Sequence, residues 1–144
     1  QVLPLRLQPT KAIEHALVTQ GMKIEEARSY ASASYGRPGR TRDLQNKGTA
    51  HQWQEGIILA KNLVRASAGT RVSMIPDMLK DYGEELLCTL LCVAGREVLL
   101  QRVHQQDQGS LTELFTFLRR LLEVPELIAR NISARTAFEY AVIA

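Results

Sequence analysis

Three histidines, two cysteines and an arginine-rich glycine corner are the parts of this sequence whose residue types could do chemistry. His15, His51 and His104 fall on three different predicted helices without a metal-ligand spacing, so no metal site is expected. Cys88 and Cys92 stand four apart in an apolar helical stretch. A soft metal there would need two further ligands from elsewhere, a disulfide within one helix is not expected, and two small core residues is the plain reading. Glu84 and Glu85 resemble a carboxylate pair, but neighbours on a helix point about 100° apart. There is no phosphate-binding Gly-x-x-x-x-Gly-Lys-[Ser/Thr] loop and no nucleophile elbow, so no catalytic residue and no cofactor is assigned. Arg37, Arg40 and Arg42 could meet a nucleotide or DNA phosphate at a helix N-terminus, the alternative being a solvated helix start. Trp53 and the sparse aromatics (6%) offer no stacking platform for single strands, which makes Trp53 a core residue.

The elements that would position these residues read as all-helical, because no stretch shows strict polar/apolar alternation between hairpin turns. A first helix opens at Thr10 as N-cap, buries Ile13, Ala16 and Leu17, and stops at Gly21. A second spans Ile24 to Ser34, with Glu25 and Glu26 in the first turn where the dipole favours anions, and closes at Gly36. Pro38 suits the first turn of a short third helix through Leu44. The polar run Asn46-Lys47-Gly48-Thr49 is placed as the junction between two subdomains. Beyond it Trp53, Ile57, Ala60 and Val64 form the stripe of an amphipathic helix ending at Ala68-Gly69-Thr70. A short helix near Met74 to Lys80 precedes a long apolar one from Asp81 to His104, expected at the centre of a bundle. After the polar turn 105–110, with Ser110 and Glu113 spaced as a capping box, a helix carries Leu111, Leu114, Phe115, Leu118, Leu121 and Leu122 and kinks or ends near Pro125. Ser133 caps a terminal helix with Ala137, Phe138, Ala141 and Val142 on one side.

The chain has 144 residues, 45% hydrophobic and 23% charged, which excludes collagenous and disordered classes and suffices for a core without metals or disulfides. Residues 1–48 carry 8 basic and 4 acidic groups, while residues 49–144 carry 10 and 11, so the basic excess belongs to the first third. The longest apolar region, Leu86 to Leu100, is interrupted by Thr89, Arg96 and Glu97 and is too short to span a bilayer, so no membrane partner is expected. The opening Gln-Val-Leu-Pro-Leu-Arg-Leu has no Met and no signal-peptide pattern, and is read as the interior of a longer chain cut at a domain edge. With only two cysteines, a cytoplasmic setting is the expectation.

Three stretches in order carry a resemblance. They are Glu26-Ala27-Arg28 to Leu44, including Ala31-Ser32-Ala33-Ser34-Tyr35-Gly36-Arg37-Pro38-Gly39-Arg40; Arg96-Glu97-Val98-Leu99-Leu100; and Arg130-Asn131-Ile132-Ser133-Ala134-Arg135-Thr136-Ala137-Phe138-Glu139. Together they resemble the C-terminal region of a bacterial DNA polymerase III clamp-loader subunit, over essentially all of residues 1–144. In that family a nucleotide-binding domain is followed by a small helical lid of the AAA+ kind and then by a helical collar through which five subunits form a ring. The ATP-hydrolysing gamma/tau subunits carry a Gly-Ser-x-Arg-Asp corner, and here Gly39 stands where that arginine would be, with Arg40 one residue later. The Gly-x-Pro-Gly version is similar to the nucleotide-independent delta-prime subunit. Arg37 in place of Ser, Glu97 in place of Asp and the later Arg42-Asp43 dipeptide leave the ATPase subunit as the alternative.

The resemblance implies a three-helix lid over residues 1–48 and a collar of five to six helices over residues 49–144. Its implied role is structural: holding the heteropentamer that loads the sliding clamp onto primed DNA in replication, with ATP hydrolysed at other subunits. Its implied partners are the gamma/tau and delta subunits and, through the assembly, clamp and DNA. Arg96, Arg119, Asn131, Arg135 and Phe138 are the implied subunit-interface candidates, and an apolar strip of Val2, Leu3, Leu5 and Leu7 is expected partly exposed. Two other readings stand beside it: an independent basic helical DNA-binding module using the first segment, and the lid of another ring ATPase.

Overall fold

The computed structural model of the protein describes residues 6–34, 36–46, 50–105 and 111–143. Val2, Leu3, Leu5, Tyr35, Ser110 and residues 47–49 of the expected junction lie outside the described residues, as do the side chains of Asp43 and His51. The described residues form seven α-helices and no strand, an all-α fold. They group into two compact units, residues 1–54 and 55–144.

The first unit contains α1 (Thr10–Thr19), α2 (Ile24–Ser34) and α3 (Pro38–Asn46). Helix α1 starts one residue earlier than a threonine cap would allow. Pro9 is its N-cap residue, with its carbonyl accepting from Ala12 N–H (3.0 Å) and Ile13 N–H (3.2 Å), and Thr10 is the first helical residue. The helix stops in a left-handed turn at Gly21 (φ 95°), where Gly21 N–H donates to Val18 O and Met22 N–H to Leu17 O. Those two bonds satisfy the last carbonyls and carry Met22 back onto the core. That core is Ile13, Leu17, Ala27, Tyr30 and Ala31, with Met22 and Leu44 packed at its margin. Ala16, expected inside, is exposed. Leu7 is 65% exposed.

Helix α4 (Ala50–Arg65) buries the expected stripe of Trp53, Ile57, Ala60 and Val64. Ala68-Gly69-Thr70 does not end it. Ser67 accepts from Thr70 N–H and caps α5 (Ala68–His104), so those three residues are the first turn of the next helix. The expected short helix and long helix are thus one element, broken at Gly83 (φ 73°, ψ 172°) into two arms, with Pro76 inside the first arm. The arm after Gly83 buries Leu87, Leu90, Leu91, Ala94 and Val98, and α5 as a whole packs against α6 (Leu111–Ala129) and α7 (Ala134–Val142). Glycines set the close approaches: a Cβ at Gly56 would lie 2.7 Å from Leu90 Cδ1, and one at Gly95 would lie 2.5 Å from Leu118 Cδ2. Beside α5, Lys61 pairs with Glu97 and Arg65 donates to Gln101 (2.9 Å). Helix α6 runs through Pro125 without ending. No helix among the described residues is long and apolar enough to cross a membrane.

Candidate functional site

The corner between α2 and α3 is built by short-range bonds. Ser34, fully buried, donates its hydroxyl to Ala31 O (2.7 Å), and Arg37 N–H returns to Ser34 O (3.0 Å). Gly36 adopts φ 78°, and its carbonyl accepts Gln8 N–H at 2.8 Å. A Cβ there would meet Gln8 O at 2.8 Å and the Leu7 Cβ at 3.0 Å, so glycine is required by conformation and by space at once. Pro38 then opens α3, where its missing N–H has no bond to lose, and Thr41 folds its hydroxyl onto Pro38 O.

This corner does not gather its three arginines into one site. Arg40 and Arg42 are two positions apart on α3 and therefore project about 200° apart around it. Arg37 and Arg42 are exposed and Arg40 is half-buried. Only Arg42 of the three lines the groove between α1 and α3, a cleft of about 580 Å³. Ala12, Ile13, Ala16 and Leu17 form one wall of the cleft, and Pro38, Gly39, Thr41 and Gln45 lie beside Arg42 on the other. With one cation and no carboxylate, and with Gln8, Gln20 and Gln45 beside the apolar groups, the lining of the cleft does not form a charged clamp. In the core of this unit Tyr30 is fully buried, its hydroxyl has no hydrogen-bond partner among the described residues, and burial, with the Glu26 charge adding, pushes its pKa up.

The interface candidates of the second unit separate in the same way. Phe138 is fully buried and belongs to the core. Asn131 holds φ 66° where α6 ends, with Asn131 N–H donating to Ile128 O (3.0 Å) and Ile132 N–H to Leu127 O (3.1 Å). That is the same terminating geometry as at Gly21, and it gives Asn131 a conformational role. Ser133 then caps α7 by accepting from Thr136 N–H (3.2 Å). Arg135 is exposed and paired with Glu139 (2.7 Å) on its own helix. Arg96 and Arg119 are exposed on α5 and α6.

Sequence spacing did not single out two arginines that organise this unit. Arg71 donates to Val64 O (3.0 Å) and Val142 O (3.4 Å) and lies over the Phe117 ring, joining the end of α4 to the end of α7. Burial lowers its pKa, with the Glu113 charge opposing and Arg102 adding. Arg120 stacks on Tyr140 at 4.8 Å and donates to its carbonyl, while the Tyr140 hydroxyl donates to Glu123 (3.4 Å). Glu123 and Tyr140, with Leu127, Ile132 and Ala137, line an apolar groove of about 240 Å³ between α6 and α7.

Among the described residues no group of three or more His, Cys, Asp or Glu is placed to hold a metal ion. Cys88 and Cys92 are both half-buried on α5, and the hydrogen bond from Cys92 lowers the Cys88 thiol pKa against the opposing effect of burial. No family model, no curated protein and no solved structure matches the chain.

Proposed function

We propose that the chain is the lid and collar region of a replicative clamp-loader subunit of the delta-prime kind, an assembly element whose partners are the gamma/tau and delta subunits. The observation that carries this reading is the Gly36 corner. The residues that resemble the family's lid corner stand between α2 and α3, in a three-helix unit that precedes a separate helical bundle. The divergence of Arg40 and Arg42 around α3 favours the nucleotide-independent branch over the ATP-hydrolysing one, because a phosphate clamp needs converging cations. It also weighs against an independent DNA-binding module, whose contacts would draw on the same arginines. In this reading the second unit supplies outward helix faces to sister subunits, around a core anchored by Phe138 and Phe117.

The test is size-exclusion co-elution of the chain with purified gamma/tau and delta subunits of the same organism. A stable complex that forms without ATP is the expected result. A folded chain that elutes alone, and whose version with the nucleotide-binding domain attached also elutes alone, overturns the reading.

A further inference from the structure

Helix α6 carries an outward stripe that the core does not use. Phe115 is 56% exposed and Leu122 73% exposed, which is unusual for large apolar side chains on one helix face. Residues seven apart stay within about 20° of each other on a helix, so Phe115, Leu122 and the exposed Ala129 make one line. Arg119 and Glu126, also seven apart and exposed, run along one side of that line.

We propose that this stripe pairs with a second copy of the same chain, antiparallel and about a two-fold axis near Leu122. The sequence of the stripe is self-complementary in that register. Leu122 meets the partner's Leu122 at the axis, Arg119 meets the partner's Glu126 on either side, and Phe115 meets the partner's Ala129 at each end. Charged positions on the same side of the stripe face each other when helices run antiparallel, so the symmetric dimer contains the opposite-charge contact twice. Large Phe115 against small Ala129 gives matching relief at both ends. Glu126 already pairs with Arg130 on its own helix, but both side chains are well exposed (65% and 70%) and that pair is cheap to exchange. A single helix face is a small interface, so the dimer is a weak one, with a dissociation constant on the order of 10 µM. This proposal concerns the chain alone and does not depend on the clamp-loader reading.

Sedimentation equilibrium over about 1 to 300 µM reads the result, because a small interface of this kind is half-formed within that range. Arg119→Glu puts two like-charge contacts into each symmetric dimer, as does Glu126→Arg, and each weakens association at least about tenfold. The double variant Arg119→Glu/Glu126→Arg restores it to within about threefold. Leu122→Asp leaves a monomer. All three positions are exposed, and an unchanged far-UV circular dichroism spectrum verifies folding of each variant. A protein that stays monomeric throughout, or a dimer indifferent to the single charge reversals, or a double variant as weak as the singles, overturns the proposal.

Discussion

Replacing Gly36 by alanine tests the corner that carries the functional reading. The backbone there is left-handed (φ 78°), which costs an L-residue about 1–2 kcal/mol. The new methyl would also stand 2.8 Å from Gln8 O and 3.0 Å from the Leu7 Cβ. The nearer of these is a backbone atom, so relief requires the 7–8 segment to shift and the Gln8 N–H to Gly36 O bond (2.8 Å) to break, a loss of about 1 kcal/mol. The expected destabilisation is therefore about 2–3 kcal/mol. Two glycines separate its parts. Gly21 has φ 95° with nothing within 4 Å of an added Cβ, so Gly21→Ala meets only the conformational cost of about 1–2 kcal/mol. Gly39 has neither a positive φ nor a neighbour, and Gly39→Ala in the first turn of α3 gains about 0.5–1 kcal/mol. Native-state hydrogen exchange across residues 6–46 gives the local opening free energies for all three variants. The reasoning fails if Gly36→Ala costs no more than Gly21→Ala, or if Gly39→Ala destabilises.

In the second unit, Gly83→Ala should cost about 2 kcal/mol although nothing crowds the site, because φ 73° with ψ 172° is a region only glycine occupies readily; an unchanged melting temperature would refute this. Phe138→Ala empties a fully buried position and should cost about 3–5 kcal/mol in urea unfolding, whereas a surface interface residue would change stability by less than about 0.5 kcal/mol. Ser133→Ala removes the α7 cap and should cost about 1 kcal/mol, read by the same unfolding midpoint. The Cys88 thiol is held below its ordinary value of 9.0 by Cys92, so Cys92→Ala should slow iodoacetamide labelling of Cys88 at neutral pH. A folded pKa below the unfolded one means that this thiolate adds stability fully present above the unfolded pKa and lost as pH falls through the folded one; equal labelling rates in the two proteins would show that the hydrogen bond does nothing.

Much of the helical order was legible because punctuation residues do local work. Helix α2 begins and ends where Ile24 and Ser34 are read, since Gly21 and Gly36 bound it with left-handed turns that other residues enter at a cost. Ser133 was equally plain, as its side chain acts on an N–H three residues away. What failed depended on tertiary context. Gly69 sits inside a first turn and Gly83 at a break, yet both are single glycines in helical sequence, and only the Ser67 cap and the packing of two arms distinguish them. Ala16 was assigned to the core by its spacing, but α3 leaves a cleft there. Phe115 and Leu122 satisfied an apolar composition while facing outward, because α6 already fills its inner side with Leu114, Phe117, Leu121 and Val124. At the candidate site, closeness in sequence suggested one basic cluster, and the helical rotation between Arg40 and Arg42 disperses it. Asn131 stood in a stretch that resembles the family's terminal helix start and was an interface candidate, and its left-handed φ gives it a conformational role at the end of α6.

The central claim is that the chain is an assembly element of a clamp loader. Native mass spectrometry of the chain mixed with the gamma/tau and delta subunits of its organism tests it most directly, because mass reports composition and stoichiometry together. One copy of the chain in a five-subunit complex, formed equally with and without ATP, is the predicted result. Sister subunits that associate with one another while the folded chain remains outside every complex would contradict it.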